Sequence, residues 1–376
     1  MSATIEGVRL LPYRLPLRDP WPTAEGPVTE REGVILALID SEGRIGLGDA
    51  APLPGFGLET IGSSIAALRL AADRLIGLPT ESLLEAVTQL GKLAPVAATP
   101  AARHAIDLAM HDLAGRIGGT PVARLLERPD GTVGLDSVRV NVAVPRVAED
   151  RAAALAREAV ARGATTLKLK VGGAPLDEDL ARVRSVREAV GSAIRLRLDA
   201  NQAWSESEAL AAMTALAPHE IEYVEQPVAA SNVEALGRLR QAGIMKVAAD
   251  EAVFDSRSAR RVLDTQAADV IVLKPMVLGG LHAAREIATL ARARGVATVV
   301  TSLVESAVGR TGALHLAASL GPMPHAHGIA TGSALLSDIA TAPEMAGGDI
   351  AVPRSPGLGL DLDAERLRAA ETVVAA

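Results

Sequence analysis

Between Thr165 and Pro275 five short apolar segments each end on a charged residue: TTLKLK on Lys170, IRLRLD on Asp199, IEYVE on Glu225, KVAAD on Asp250 and VIVLK on Lys274. The steps are 29, 26, 25 and 24 residues, the length of one strand, one helix and two loops each. In a closed parallel barrel the C-terminal strand ends converge on one face, where active sites form. In TTLKLK, Lys168 and Lys170 share one strand face while Leu167 and Leu169 take the other. Two ammonium groups about 6 Å apart repel by roughly 3 kcal/mol at an effective dielectric of about 20. That repulsion would bring one lysine from about 10.4 toward about 8, a usable base. Asp199, Glu225 and Asp250 offer hard oxygen ligands from three successive strands, a donor set suited to Mg²⁺, with Mn²⁺ as an alternative.

Plainer readings stand beside these. K-x-K occurs on edge strands with solvated lysines, three acidic strand ends can be salt-bridged to nearby lysines, and Lys274 can be a buried structural lysine. Asn201 and Glu251 lie close to the acidic strand ends and fit supporting roles around a metal, although each type is also common in loops. Ser302 and Glu305 in TSLVES sit at the end of a seventh strand, and the GRTG that follows offers backbone amides for an anionic group or an ordinary helix start. The seven histidines, 104, 111, 219, 282, 315, 325 and 327, show no ligand spacing.

These residues need a frame to hold them. From Val138 strand and helix alternate: VRVNVAV, TTLKLKVG, IRLRLDAN, IEYVEQP, KVAADE, VIVLKP, VATVVTS and a weak HGIATG. Eight strands with amphipathic helices between them predict a closed barrel. Before it, residues 3 to 14, GVILALID and GRIGLGDAAP read as an antiparallel sheet, followed by helices over 60–76, 80–90, 99–117 and 121–126. The proline-bearing stretch 16–33 reads as a mobile surface loop that could act as a lid. The predicted organisation is an α+β capping domain over 1–130, ending at the Arg128-Pro129-Asp130-Gly131 turn signal, and a barrel over 131–344, with 345–376 returning to the cap.

Composition excludes several classes. At 376 residues and 49% hydrophobic content the chain can bury two cores. A net charge of −7 without a basic cluster argues against nucleic acid or an anionic membrane as partner. The absence of cysteine removes disulfides, thiolate metal sites and thiol nucleophiles, and suits a reducing cytosol. No stretch resembles a signal peptide or a membrane span. A cytoplasmic enzyme acting on a small-molecule carboxylate is expected, and the sequence is silent on its oligomeric state.

The chain resembles the enolase superfamily, muconate-lactonizing subgroup, over nearly its whole length, which implies a (β/α)7β barrel with an α+β cap. By that resemblance KLK supplies Lys170 as the base and Lys168 as its neighbour. LDAN, VEQP and ADE then supply the Mg²⁺ ligands Asp199, Glu225 and Asp250, and LKP supplies Lys274 opposite the first pair. No histidine stands on strand seven, which disfavours the mandelate racemase subgroup. PLPGFGLET, TSLVESAVG and HGIATGSALLSD resemble o-succinylbenzoate synthases, and the Asp-x-Asp that dipeptide epimerases usually carry at the last strand is missing. One departure is Asp49, where the family usually has Glu. The implied reaction is the syn-dehydration of 2-succinyl-6-hydroxy-2,4-cyclohexadiene-1-carboxylate through an enediolate, a step of menaquinone biosynthesis. The same residues could serve an N-succinylamino acid racemase or dipeptide epimerase using Lys170 and Lys274 as two bases. A muconate-type cycloisomerase, a Schiff-base aldolase and a non-catalytic metal-binding barrel fit less well.

Overall fold

The computed structural model describes residues 3–23, 26–53, 57, 59–127, 134–362 and 371–375. The turn signal at 128–131 and Pro54, Gly55 and Phe56 of PLPGFG lie outside the described residues.

The chain opens with β1 (Ile5–Thr23), β2 (Gly26–Asp40) and β3 (Ile45–Ala50), antiparallel, with β14 (Glu371–Ala375) added along β1. The surface loop expected at 16–33 is instead the far half of the β1–β2 hairpin: pairing passes Pro16 opposite Glu30, shifts, and resumes at Trp21 opposite Val28. Proline is tolerated there because it needs no bond to β2. The carbonyl of Pro16 points off the opposite edge, where it accepts the N–H of Leu336 at 2.9 Å. The hairpin therefore rests on the barrel, and Leu17 forms a bridge with Leu335.

Helices α1 (Ile61–Leu75), α2 (Leu83–Leu90), α3 (Ala94–Ala97), α4 (Pro100–Gly118) and α5 (Val122–Leu125) complete the cap. All but the single turn α3 fall where the periodicity of Leu, Ala and Ile predicts them. Thr60 starts α1 with a capping box to Ser63, which satisfies two otherwise orphaned N–H groups.

The expected strand VRVNVAV is two. β4 (Ser137–Arg139) joins the hairpin β12 (Met345–Ala346) and β13 (Asp349–Ala351), and β5 (Val142–Val144) opens the barrel. The parallel sheet then runs through β6 (Thr166–Lys170), β7 (Arg195–Asp199), β8 (Ile221–Glu225), β9 (Val247–Ala249), β10 (Val270–Leu273) and β11 (Ala297–Val300). Helices α6 (Glu149–Ala161), α7 (Leu176–Val190), α8 (Glu206–Leu216), α9 (Val233–Gln241), α10 (Ser256–Asp264), α11 (Pro275–Leu278), α12 (Leu281–Ala293) and α13 (Ala307–Ser319) alternate with the strands. Closure at HGIATG takes only two parallel bridges, Val140 with His327 and Thr301 with Gly328. The architecture is the (β/α)7β barrel with an antiparallel cap. After β13 the chain reaches the cap at Gly357, which bridges Pro121, and at Asp361, which pairs with Arg116 at 2.8 Å. Among the described residues no helix is long and apolar enough to cross a membrane.

Barrel closure is acid-sensitive by construction. The main chain of His327 bonds to Arg139 and Asn141, and its Nδ1 accepts the N–H of Val300 at 2.9 Å. Burial, with the nearby Arg197 and Arg139 cations, pushes this imidazole down to about 3. A histidine held neutral stabilises the fold fully above its unfolded value of about 6.5 and loses that contribution as pH falls from there toward the folded value. The loss is about 1.4 kcal/mol per pH unit. Melting temperature should therefore fall between pH 7 and pH 5 less steeply in His327→Asn than in the parent; parallel slopes would contradict this assignment.

Candidate active site

Strand register brings the charged ends together. Lys170 on β6 lies opposite Asp199 on β7, and Asp199 lies opposite Glu225 on β8, so three ionisable side chains stand in a row at one sheet edge. Asp250 and Lys274 continue the row as the residues directly after β9 and β10. All three carboxylates are buried, Asp199 and Glu225 at 1% exposure and Asp250 at 3%.

Lysines hold these carboxylates in place. Lys168 Nζ lies 2.9 Å from Glu225 Oε1 and 3.1 Å from Asp199 Oδ2. Lys170 Nζ donates to the same Asp199 Oδ2 at 2.7 Å and to Asn201 Oδ1 at 2.6 Å. Lys274 Nζ donates to Asp250 Oδ2 at 2.5 Å. Asn201 Nδ2 in turn donates to Glu251 Oε1 at 3.1 Å, so the two supporting residues read from the sequence touch each other, and Asn201 touches the lysine.

Lys168 does not show the depression expected of a lysine beside a like charge. Both ammonium groups converge on Asp199, whose charge lies between them. Burial disfavours the Lys168 ammonium, but Asp199 and Glu225 outweigh it and hold its pKa well above the ordinary lysine value. Asp199 is held low for the reciprocal reason: burial would raise it, and Lys168 and Lys170 more than offset that. Glu225 is pushed up to about 7 by burial and then by the Asp199 and Asp250 charges beside it.

The donor set fits a hard divalent cation. It consists of carboxylate oxygens from the ends of three neighbouring strands, all three buried. As they stand, no three such groups among the described residues converge on one point, because each is turned toward an ammonium group. Asp199 and Glu225 do meet, at Lys168 Nζ.

Sequence reasoning missed Gln226. It is fully buried with a left-handed φ of 38°, and its Oε1 accepts the N–H groups of Asp250 at 3.0 Å and Ala252 at 3.1 Å. One amide thus ties the ends of β8 and β9 together and sets the backbone that carries two of the acids. Its only signal was its place directly after Glu225.

Ser302 and Glu305 lie between β11, the seventh barrel strand, and α13. Ser302 Oγ is 2.5 Å from Thr331 Oγ1, across the barrel closure. The buried Glu305 accepts the N–H of Leu303 and lies near Asp49 of the cap, and burial pushes it up to about 7. Asp49 itself accepts from Tyr13 at 2.8 Å and Ser306 at 2.6 Å, which makes it a cap-to-barrel anchor. The GRTG segment lies inside α13 rather than at its start. The first turn is already served, since Ser306 accepts from Val308 and Asp338 accepts from Ala307 at 3.0 Å. His325 bonds Glu222 at 2.9 Å and meets Tyr223 edge-on, so it belongs to the barrel interior.

Residues 5–127 match the family model for the mandelate racemase / muconate lactonizing enzyme N-terminal domain, and residues 151–366 match the enolase C-terminal domain-like model. A hydrophobic dipeptide epimerase of Enterococcus faecalis is 33% identical over 316 residues, 84% of this chain and 87% of that protein. An o-succinylbenzoate synthase of Thermobifida fusca is 40% identical over 210 residues, 55% of this chain and 64% of that protein. The crystal structure of the Enterococcus faecalis dipeptide epimerase with Mg and the dipeptide L-Leu-L-Tyr superimposes with a TM-score of 0.87 at 30% identity, covering 96% of this chain and all of that one. With a barrel, a cap and a row of acids and lysines in common register, the chain belongs to the enolase superfamily of enzymes.

Proposed function

We propose that this enzyme is a Mg²⁺-dependent o-succinylbenzoate synthase. The observation that carries the chemistry is the placement of Lys170 on β6 and Lys274 after β10, with Asp199, Glu225 and Asp250 on the strands between them. Asp199, Glu225 and Asp250 would hold the ion, which when bound supplies Lewis-acid stabilisation to charge developing on a substrate carboxylate.

Lys170 is the base. Its side chain is 32% exposed against 14% for Lys168 and 11% for Lys274, so it is the lysine that an entering substrate meets. Asn201 Oδ1 takes a hydrogen from its nitrogen in either protonation state and so aims the remaining lone pair. Lys170 removes the proton beside the substrate carboxylate, and the proton it then carries goes to the departing hydroxyl, which leaves as water. Lys168 and Lys274 remain protonated and stabilise the developing negative charge without moving. The carbon skeleton becomes aromatic, which drives the step.

The last barrel strand supports dehydration over epimerisation. Asp338 is the only acidic residue between 329 and 343, and it is committed to the N–H groups of Ala307 and Ile339 and to Arg310 at 2.9 Å. No pair of carboxylates is left there to grip a substrate ammonium group. The likeness to dipeptide epimerases over most of the chain favours a second reading, in which Lys274 also exchanges protons and the enzyme racemises N-succinylamino acids or epimerises dipeptides.

Two incubations with Mg²⁺ decide between them. Purified enzyme given 2-succinyl-6-hydroxy-2,4-cyclohexadiene-1-carboxylate should form o-succinylbenzoate, while dipeptides and N-succinylamino acids in D₂O should keep their α-hydrogens. Exchange in both enantiomers without dehydration would sink the synthase reading.

A further inference from the structure

Lys274 sits at the head of a short, unusual connection. Its carbonyl accepts the N–H groups of Val277 and Leu278, each at 2.9 Å, closing the single turn of α11. The turn ends at Gly279 and Gly280, with φ of 83° and 129°, and α12 begins at once. A helix of one turn has too few bonds to hold itself. Its stability must come from outside.

That support comes from the cap. Arg103 on α4 donates from Nε to Gly279 O at 3.0 Å and from Nη2 to Leu278 O at 2.5 Å, pairing the buried carbonyls at the end of α11. One turn further along α4, the buried Asp107 accepts the N–H of His282 at 2.8 Å, in the first turn of α12. A cation at a helix C-terminus and an anion at a helix N-terminus is the favourable polarity at both ends. The two glycines allow the approach: a Cβ on Gly279 would lie 2.0 Å from Arg103 Nε, and one on Gly280 2.0 Å from Asp107 Oδ2. Arg103 thus holds the carbonyl of the residue whose N–H holds Lys274.

We propose that Arg103 and Asp107 of the cap are positioning residues for Lys274, a latch through which docking of the capping domain sets the Lys274 ammonium group in the barrel. The proposal rests on the role given to Lys274 above. It assigns to the cap a part in the barrel's charge stabilisation through α4.

Full-length Arg103→Ala, Arg103→Lys, Asp107→Asn and Lys274→Ala are compared with the parent in two assays. Misplacement by about an ångström costs up to about 10²-fold in rate. Arg103→Ala should lower kcat for the dehydration by about 10- to 100-fold, with KM nearly unchanged. Asp107→Asn should show a smaller loss of the same kind, and Arg103→Lys should recover part of it. Amide hydrogen exchange over 275–282 should accelerate in Arg103→Ala and Asp107→Asn, with the rest of the barrel unchanged. If Arg103→Ala does not fold, Arg103→Lys and Asp107→Asn carry both readouts. Parental kcat and exchange in the Arg103 and Asp107 variants, with turnover lost in Lys274→Ala, would overturn the latch. Full turnover in Lys274→Ala would instead overturn the role of Lys274.

Discussion

Lys170→Ala should reduce turnover by roughly 10²- to 10⁴-fold, the usual contribution of a positioned acid or base, while Mg²⁺ affinity changes little. The two effects separate because of how Asp199 is held. Its Oδ2 faces two ammonium groups, Lys170 at 2.7 Å and Lys168 at 3.1 Å, and the second remains when the first is removed. Asp199 therefore stays ionised and able to bind a cation. Asn201 loses one partner but keeps its bond to Glu251 at 3.1 Å, so the loop beyond β7 keeps its shape. Steady-state turnover and calorimetric Mg²⁺ titration of the same preparation check both halves. Preserved turnover would remove Lys170 from the base role, and joint loss of turnover and metal binding would make it structural.

Asp199→Asn should be more damaging, because that carboxylate is shared by every part of the site. The substitution takes away one of three carboxylates for the cation and also the central partner of Lys168 and Lys170. Removing one member of a buried ion pair costs about 3–5 kcal/mol, since the partner charge is left uncompensated. Here two lysines on one strand face lose the anion between them, and their mutual repulsion, masked in the parent, is exposed. The expected result is loss of measurable turnover, a fall in Mg²⁺ affinity of at least about 10²-fold and a lower melting temperature at neutral pH. The stability loss should shrink on acidification: Asp199 is held below the ordinary carboxylate range, so its contribution is full above about 4 and fades as pH falls. Titration calorimetry and melting curves at two pH values measure these effects. An Asp199→Asn protein with parental melting and metal affinity would refute the arrangement.

Much of this site was legible in the sequence because strand geometry is nearly invariant. A side-chain period of two puts Lys168 and Lys170 on one face, and strand ends recurring every 24 to 29 residues put Lys170, Asp199, Glu225, Asp250 and Lys274 on one rim. What escaped depends on contacts between distant segments. The lysine pair reads as mutually repelling until register places Asp199 against both. Gln226 is one polar residue among many until its backbone turns to a φ of 38° and its amide meets two N–H groups across a strand. The latch of Arg103 and Asp107 lies 175 or 176 residues from the carbonyls and amide it binds, and no periodicity encodes such a pairing. Prolines 16, 20, 22 and 27 suggested a loop, whereas that span is the far half of the β1–β2 hairpin, with Pro16 opposite Glu30 and Pro22 opposite Pro27.

Proton removal by Lys170 is the central claim, and it is tested most directly by one rate. In single turnover with Mg²⁺, a substrate carrying deuterium on the carbon beside its carboxylate should react more slowly than the protiated substrate, and both should react at least about 10²-fold more slowly in Lys170→Ala. Equal rates for the two substrates, with product forming at the parental rate in Lys170→Ala, would contradict it.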